Sequence, residues 1–354
     1  MRLLFLKLRH IGDALLLTPT LAAVKQALPR CEIWVVVRRG SEGILAGCPH
    51  IDQLRTAMIP EHGAARDKHR GADRRLLGEL RSARFEHAFE LSGGDRGRWM
   101  TLLSGARGRT ANTTSSQFPV WWKAAFNRPS LTTRRGRHEI ERDYLTVGDV
   151  LPLPAEIPPF RFDPAAMRVW KPPENLGDFA VVHAGTRWAR KGWAEEKWIE
   201  AGRVLLQRVP RIVLSCGPDD GERALNRRLC DALGPAAVST DGTTDWSQLA
   251  WLLARAKLFV GVDTAAMHLA AACQCPTVAL FGGSKVFEWY PWRVRSLVVR
   301  PQAWIGEERA ARMLDTELMR EIPADKVIAA CDEVLAGGGT VRPAESRSPV
   351  AAQN

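Results

Sequence analysis

In the stretch Gly261 to Gly283, GVDTAAMHLAAACQCPTVALFGG, three polar residues, Asp263, Thr264 and His268, stand between an apolar run and a small-residue helix. Asp and Thr are residue types that cap the start of a helix, where free N–H groups and the positive dipole end favour an anion. A diphosphate is an anion of that kind. His268 falls one helical turn after Thr264 and shares its face, and Ala270 to Ala272 keep the helix slim enough to pack closely on a sheet. The same pattern also suits a capped structural helix with a satisfied histidine, and the stretch alone leaves both readings open.

A second candidate lies near the start of the sequence. Arg2 to Leu8 is mostly apolar, as a strand buried on both faces should be, and Arg9-His10-Ile11-Gly12-Asp13 turns it into a helix predicted over Ala14 to Leu28. Asp13 thus stands at the carboxyl end of a strand, the usual place for ligands in open α/β sheets, flanked by Lys7, Arg9 and His10. A carboxylate there can serve as general base toward a substrate hydroxyl, or it can simply cap the helix. The loop carries neither GxGxxG nor GxxxxGK, so neither a nicotinamide cofactor nor ATP hydrolysis is indicated. Ser92-Gly93-Gly94-Asp95-Arg96 makes another glycine turn that sets charge at the sheet edge. Lys7, Arg9, His10, Asp95 and Arg96 are therefore candidate acceptor-binding residues.

Positioning these residues requires βα units, and the sequence reads as such. Strands are predicted over Glu32 to Val37, Phe85 to Leu91, Phe179 to His183, Arg211 to Ser215 and Leu258 to Val262. Helices are predicted over Trp99 to Leu103, His138 to Leu151, Glu195 to Gln207, Trp246 to Leu253 and Ala324 to Leu335, with a charged, arginine-rich one within Glu61 to Arg84. Arg107 to Arg137, which mixes indoles with arginines, reads as irregular, either an acceptor-binding flap or a solvated loop. Prolines from Pro152 to Pro173 mark a stiff linker. The expected organisation is an α/β fold of two doubly wound, Rossmann-like domains, residues 1–151 and 174–336, facing one another across a cleft, with linker 152–173 and a disordered tail 337–354.

The chain of 354 residues, 45% hydrophobic, is long enough for two cores. Its seven cysteines form no CxxC pair and several lie in apolar runs, which suggests buried thiols in a reducing compartment. No apolar window reaches membrane-spanning length, and Lys7, Arg9, His10 and Asp13 interrupt the first apolar stretch, so neither a signal peptide nor an anchor is expected. The net charge of +11 favours anionic partners. No zinc-knuckle, RNA-binding or helix-turn-helix pattern points to nucleic acid, and no DxD-type motif points to a metal.

Four motifs, LKLRHIGDALLLTPTLAAVK, HAGTRWARKGW, CGPDDGE and GVDTAAMHLAAACQCPTVALFGGSKVFEWYPW, together resemble the ADP-heptose:lipopolysaccharide heptosyltransferases, glycosyltransferases of the GT-B type. They run from Leu6 to Trp292 in the family's order. The Arg-His-x-Gly-Asp form, the Arg-Trp-x-x-Lys-x-Trp spacing and the terminal Trp-x-Pro-Trp look most like the heptosyltransferase III branch. By this resemblance, Asp13 matches the base that deprotonates the acceptor hydroxyl, and Lys191 the lysine that neutralises the leaving diphosphate. Thr186 and Arg187 stand beside it. Asp263, Thr264, Ala265 and His268 match the loop that holds the donor phosphates, and Glu222, with Asp219, the carboxylate that receives the adenosine ribose. Ala265 replaces a glycine found in many members, which puts in question any backbone conformation with positive φ.

The resemblance implies inverting transfer of heptose from ADP-heptose to the lipopolysaccharide inner core, without a metal or other cofactor. Departure of ADP places negative charge on the β-phosphate, which Lys191 and the helix N–H groups meet while a base acts on the opposite side. Donor site and base belong to different domains, so closure of the cleft would assemble them and exclude water. The expected location is cytoplasmic, with peripheral contact at the inner membrane left open. Two other readings stand beside it: a GT-B transferase for another nucleotide-sugar and glycan, and a non-enzymatic basic protein that binds nucleic acid or anionic lipid.

Overall fold

Two runs of wholly buried residues, Leu3 to Leu6 and Phe179 to His183, form central strands of two separate parallel sheets. The computed structural model describes residues 1–58, 70–114, 118–171 and 176–341. The chain divides into two compact units, Met1–Arg168 with Asp245–Ser247, and Val169–Thr244 with Gln248–Asn354.

The first unit runs β1 (Arg2–Lys7), α1 (Ile11–Leu16), α2 (Thr18–Ala27), β2 (Glu32–Arg38), β3 (Gln53–Ala57), α3 (Arg70–Ser82), β4 (His87–Glu90), α4 (Asp95–Leu103), β5 (Gly108–Ala111), α5 (Val120–Lys123) and α6 (Glu139–Gly148). Its strand order is β3-β2-β1-β4-β5, and every pairing is parallel. The order reverses between β1 and β4, so the loops after these two strands open at one edge, the ligand-binding position of a doubly wound sheet. Leu4, Leu6, Trp34, Val36 and Phe85 pack with Leu76 and Leu80 of α3, while Phe5 stacks on Phe89 at 4.9 Å.

The second unit runs β6 (Phe179–His183), α7 (Glu195–Leu205), β7 (Arg211–Leu214), α8 (Asp220–Leu233), β8 (Ala237–Ser239), α9 (Trp246–Leu253, its first two residues counted with the first unit), β9 (Leu258–Val262), α10 (Ala265–Ala272), β10 (Thr277–Leu280), α11 (Val286–Trp289), β11 (Ser296–Val299), α12 (Gln302–Ile305), α13 (Glu307–Ala310), α14 (Asp315–Glu321) and α15 (Ala324–Leu335). Its order, β11-β10-β9-β6-β7-β8, reverses between β6 and β9. His183 lies opposite Gly261 in that pair. Core residues of α7 and α15, among them Trp198, Leu205, Val327 and Val334, cover the sheet's aliphatic side chains.

The structure departs from the sequence reading in several places. The single helix expected from Ala14 to Leu28 is two, broken at Leu17, because Pro19 lacks an N–H and its ring clashes with a preceding carbonyl. The helix α8 and four short strands, β3, β5, β8 and β11, were not anticipated. Within Arg107 to Arg137, β5 joins the sheet, and Phe118, Trp122 and Phe126 pack with Ala111 in a small apolar cluster. Outside β5 and the short α5 the described residues of that segment carry little regular structure, as expected, and Trp121 is 77% exposed; residues 115–117 lie outside the described ones.

The proline-rich segment packs on the first unit. Phe160 and Phe162 are buried, and the Asp163 N–H donates to the Gly47 carbonyl at 2.9 Å. Pro172 and Pro173, residues 61–69 of the charged stretch and residues 342–354 of the tail lie outside the described residues. All seven cysteines are free, and five of them are buried.

Candidate functional site

In the second unit, adjacency of β6 and β9 brings the loop after one to the helix start after the other. That loop includes a tight turn at Ala189–Lys191. The Lys191 ammonium donates to Asp263 Oδ2 at 2.6 Å and to the Asp263 carbonyl at 3.2 Å. The Lys191 side chain is partly exposed while Asp263 is buried, so the cation presents one face outward. Thr264 is the N-cap of α10, with extended backbone, but its side chain makes no capping bond. Its Oγ1 and His268 Nδ1 are both buried without a partner among the described residues.

Buried polar atoms rarely stay unpaired. Two of them beside a partly exposed cation at a helix start are what a ligand with phosphate oxygens would satisfy. Burial pulls His268 down to about 4; nearby Asp263 opposes this shift and Lys191 adds to it. The imidazole is therefore neutral near pH 7, and Trp289 lies 6.3 Å from it, ring to ring. Ala265 begins α10 and is absent from the non-glycine residues with positive φ, which among the described residues are Arg84, Asp241, Gln274 and Arg293. Its methyl group is compatible with the helical backbone it adopts.

Glu222, in the first turn of α8, joins the same edge. Its Oε2 accepts from the Gly217 N–H at 2.7 Å, and burial pushes its carboxyl up. A Cβ at position 185 would lie 2.6 Å from that oxygen, so only glycine lets the carboxylate approach the loop after β6 so closely. Asp219 serves the helix: its Oδ1 accepts from the N–H groups of Gly221 and Glu222 at 2.9 and 3.2 Å. Thr186 Oγ1 accepts from the Trp188 N–H at 3.2 Å, and the Arg187 guanidinium stands 5.8 Å from the Trp188 ring centre.

In the first unit, the helix begins earlier than expected, and its N-cap is His10. Asp13 is therefore not the cap but lies in the first turn, 6% exposed. Burial pushes its carboxyl up to about 6; Lys7 and Arg9 act against this and Glu139 with it. A carboxylate of that proton affinity, at the edge where ligands bind, suits a general base near neutral pH. Arg9 and His10 are exposed beside it.

Lys7 requires a correction. It is 1% exposed, and its ammonium is held by Glu139 at 2.8 Å and Asp143 at 2.6 Å, so it cannot reach out to an acceptor. The strand that carries it points its side chain under α6 rather than outward. The charges after β4 are also partly engaged. Asp95 Oδ1 accepts from Arg98 at 2.7 Å and from Trp122 Nε1 at 3.0 Å, and Arg96 pairs with Asp73. That loop is built on Glu90, a buried carboxylate that accepts from the N–H groups of Ser92 and Gly93.

Sequence reasoning missed Glu90, Glu139 and Asp143. A signal existed for the last two: spaced four apart, they fall on the face of α6 that buries Ile140, Tyr144 and Val147. Among the described residues, no three His, Cys, Asp or Glu side chains are gathered so as to hold a metal ion, and no helix is long and apolar enough to cross a membrane.

Comparison with known proteins adds three findings. The family model for glycosyltransferase family 9 (heptosyltransferase) matches residues 74–315. Lipopolysaccharide heptosyltransferase 3 of Escherichia coli K12 is 28% identical, over 93% of this chain and 96% of that protein. The solved structure of E. coli heptosyltransferase WaaC with ADP aligns with a TM-score of 0.76 at 19% identity, covering 94% of this chain and all of the other; E. coli ADP-heptose lps heptosyltransferase II aligns at 0.73 and 17%, covering 95% and 99%.

Proposed function

The chain belongs to glycosyltransferase family 9, and from that premise we propose that it moves L-glycero-D-manno-heptose from ADP-heptose to a heptose of the lipopolysaccharide inner core. It is a glycosyltransferase with the GT-B fold. The heptosyltransferase III assignment is supported by the relatives that match nearly the whole chain.

One observation carries the reading of the donor side: Lys191 and Asp263 are paired at the start of α10, next to the unpartnered Thr264 Oγ1 and His268 Nδ1. In the proposed reaction, Asp13 takes the proton of the acceptor hydroxyl, and the oxygen attacks the anomeric carbon from the side opposite ADP. The C–O bond to the β-phosphate breaks, and the negative charge that collects there meets Lys191 and the first N–H groups of α10. Glu222 takes the adenosine ribose. One displacement of this kind inverts the anomeric centre. Thr186 and Arg187 line the donor side, and Arg9, His10, Asp95 and Arg96 the acceptor side.

The proposal includes no metal, since the protein's own cation and helix dipole stabilise the leaving group. It places the enzyme at the cytoplasmic face of the inner membrane, in peripheral contact with the anchored acceptor. The test is ADP release from ADP-heptose in the presence of a defined core acceptor lacking the terminal heptose, with product analysis, with and without EDTA. No ADP release, or Asp13→Ala behaving like the parent, would sink the idea, and turnover abolished by EDTA would remove the metal-free part. UDP- and GDP-sugars in a thermal-shift panel test the donor choice.

A further inference from the structure

The cluster at the end of β1, whose Lys7 and Glu139 charges act on the Asp13 carboxyl, holds more charge than a fold requires. Lys7, Glu139 and Asp143 are 1%, 6% and 0% exposed. Both Asp143 oxygens accept from the Lys7 ammonium, at 2.8 and 2.6 Å, and Glu139 Oε1 accepts at 2.8 Å. Glu139 is further paired with Arg134 and Arg142, each at 3.3 Å. Buried ion clusters seldom add net stability over apolar packing, because removing each charge from water offsets the attraction. Such a cluster next to a base has another use.

We infer that Glu139 and Asp143 are positioning residues for the Asp13 base: they hold the Lys7 ammonium beside its carboxylate yet occupy the ammonium's hydrogen bonds. Asp13 thus has a fixed buried counter-charge without the direct bond that would quench its basicity. The inference rests on the reading of Asp13 as the base. The charges around Asp13 agree with it. Lys7 and Arg9 favour its ionised form and Glu139 opposes it. The other charged groups on elements packed against α1 are engaged elsewhere: Lys25 of α2 with Asp52, Glu42 with the Gly40 N–H, and Glu141 of α6 with the His138 N–H. A Lys7 freed from its two carboxylates would turn to Asp13 and hold it ionised to lower pH.

The test reads Asp13 itself. In protein labelled with 13C at aspartate carboxyls, the resonance missing from Asp13→Asn gives its titration without substrate. Glu139→Gln and Asp143→Asn are expected to lower that midpoint by about one pH unit, a tenfold change in proton affinity, and to move the acid limb of kcat/KM with it. Lys7→Met is expected to raise it; where that variant fails to fold, because it strands two buried carboxylates, the two conservative variants decide. An Asp13 midpoint unchanged in both, with activity lowered equally at all pH, would mean a structural role only and overturn the inference. The base reading fails separately, if Asp13→Ala turns over like the parent.

Discussion

Lys191 and Asp263, 72 positions apart in sequence, form one ion pair at the edge of the second sheet, with the ammonium 2.6 Å from the carboxylate and 3.2 Å from the same residue's carbonyl. The pair holds a cation where α10 begins and leaves it partly exposed. Replacing Lys191 with methionine therefore removes the charge proposed to meet the leaving diphosphate. A loss of kcat/KM of roughly 100- to 1,000-fold is expected, with the apparent Kd for ADP also weakened by calorimetry.

Asp13, the proposed base, is expected to set an acid limb. With a carboxyl pushed up to about 6 by burial, it is expected to be protonated and inactive below that pH. Log kcat/KM is expected to rise with unit slope from pH 5, bend near 6 and level above 7. A flat profile across that range would argue against Asp13 as the base.

The buried carboxyl of the same residue also bears on stability. A folded-state carboxyl that keeps its proton to about 6, against 3.8 for the free group, contributes stability that is full below 3.8 and lost as pH rises through 6. Asp13→Asn, which never ionises, is expected to be more stable than the parent by up to about 3 kcal/mol at pH 7.5, with the gap closing near pH 4. Paired melts at the two pH values measure it.

His268 and Thr264 have polar atoms that no group among the described residues satisfies. His268→Phe and Thr264→Val should weaken ADP binding by roughly tenfold each, one lost hydrogen bond apiece, while leaving the melting temperature close to that of the parent. Because burial pulls His268 down to about 4, the ADP affinity should show no histidine titration between pH 6 and 8.

Gly185 admits the Glu222 carboxylate. Its alanine variant would set a methyl group 2.6 Å from Glu222 Oε2. Displacement of that carboxylate from Gly217 is expected, with a destabilisation of about 1–3 kcal/mol and weaker ADP binding. By contrast Ala265→Gly, at a helical position, is expected to gain no activity and to lose about 0.5–1 kcal/mol.

Much of this site was legible in the residues. The strand, polar turn and alanine-rich helix around Asp263, and the strand leading to Asp13, are local patterns: periodicity reports burial, and turn residues report a chain reversal, within about ten positions. The short strands β3, β5, β8 and β11 escaped, because three to five residues of mixed burial carry too little period to register. The same holds for Trp122 in Arg107 to Arg137, which finds Trp99 and Asp95 of α4 only in the folded unit, while Trp121 stays exposed.

Sequence by itself thus determined which residues carry charge at the ends of strands. Tertiary structure alone decided what each charge faces. Strand order is a long-range property, and it is the reversal between β6 and β9 that brings Lys191 to Asp263. Lys7 and Asp13 read alike as charges beside one turn, but α6, more than 130 positions onward, covers the lysine with two carboxylates and leaves the aspartate at the sheet edge. A local pattern cannot contain that difference, because the groups that make it arrive from elsewhere in the chain.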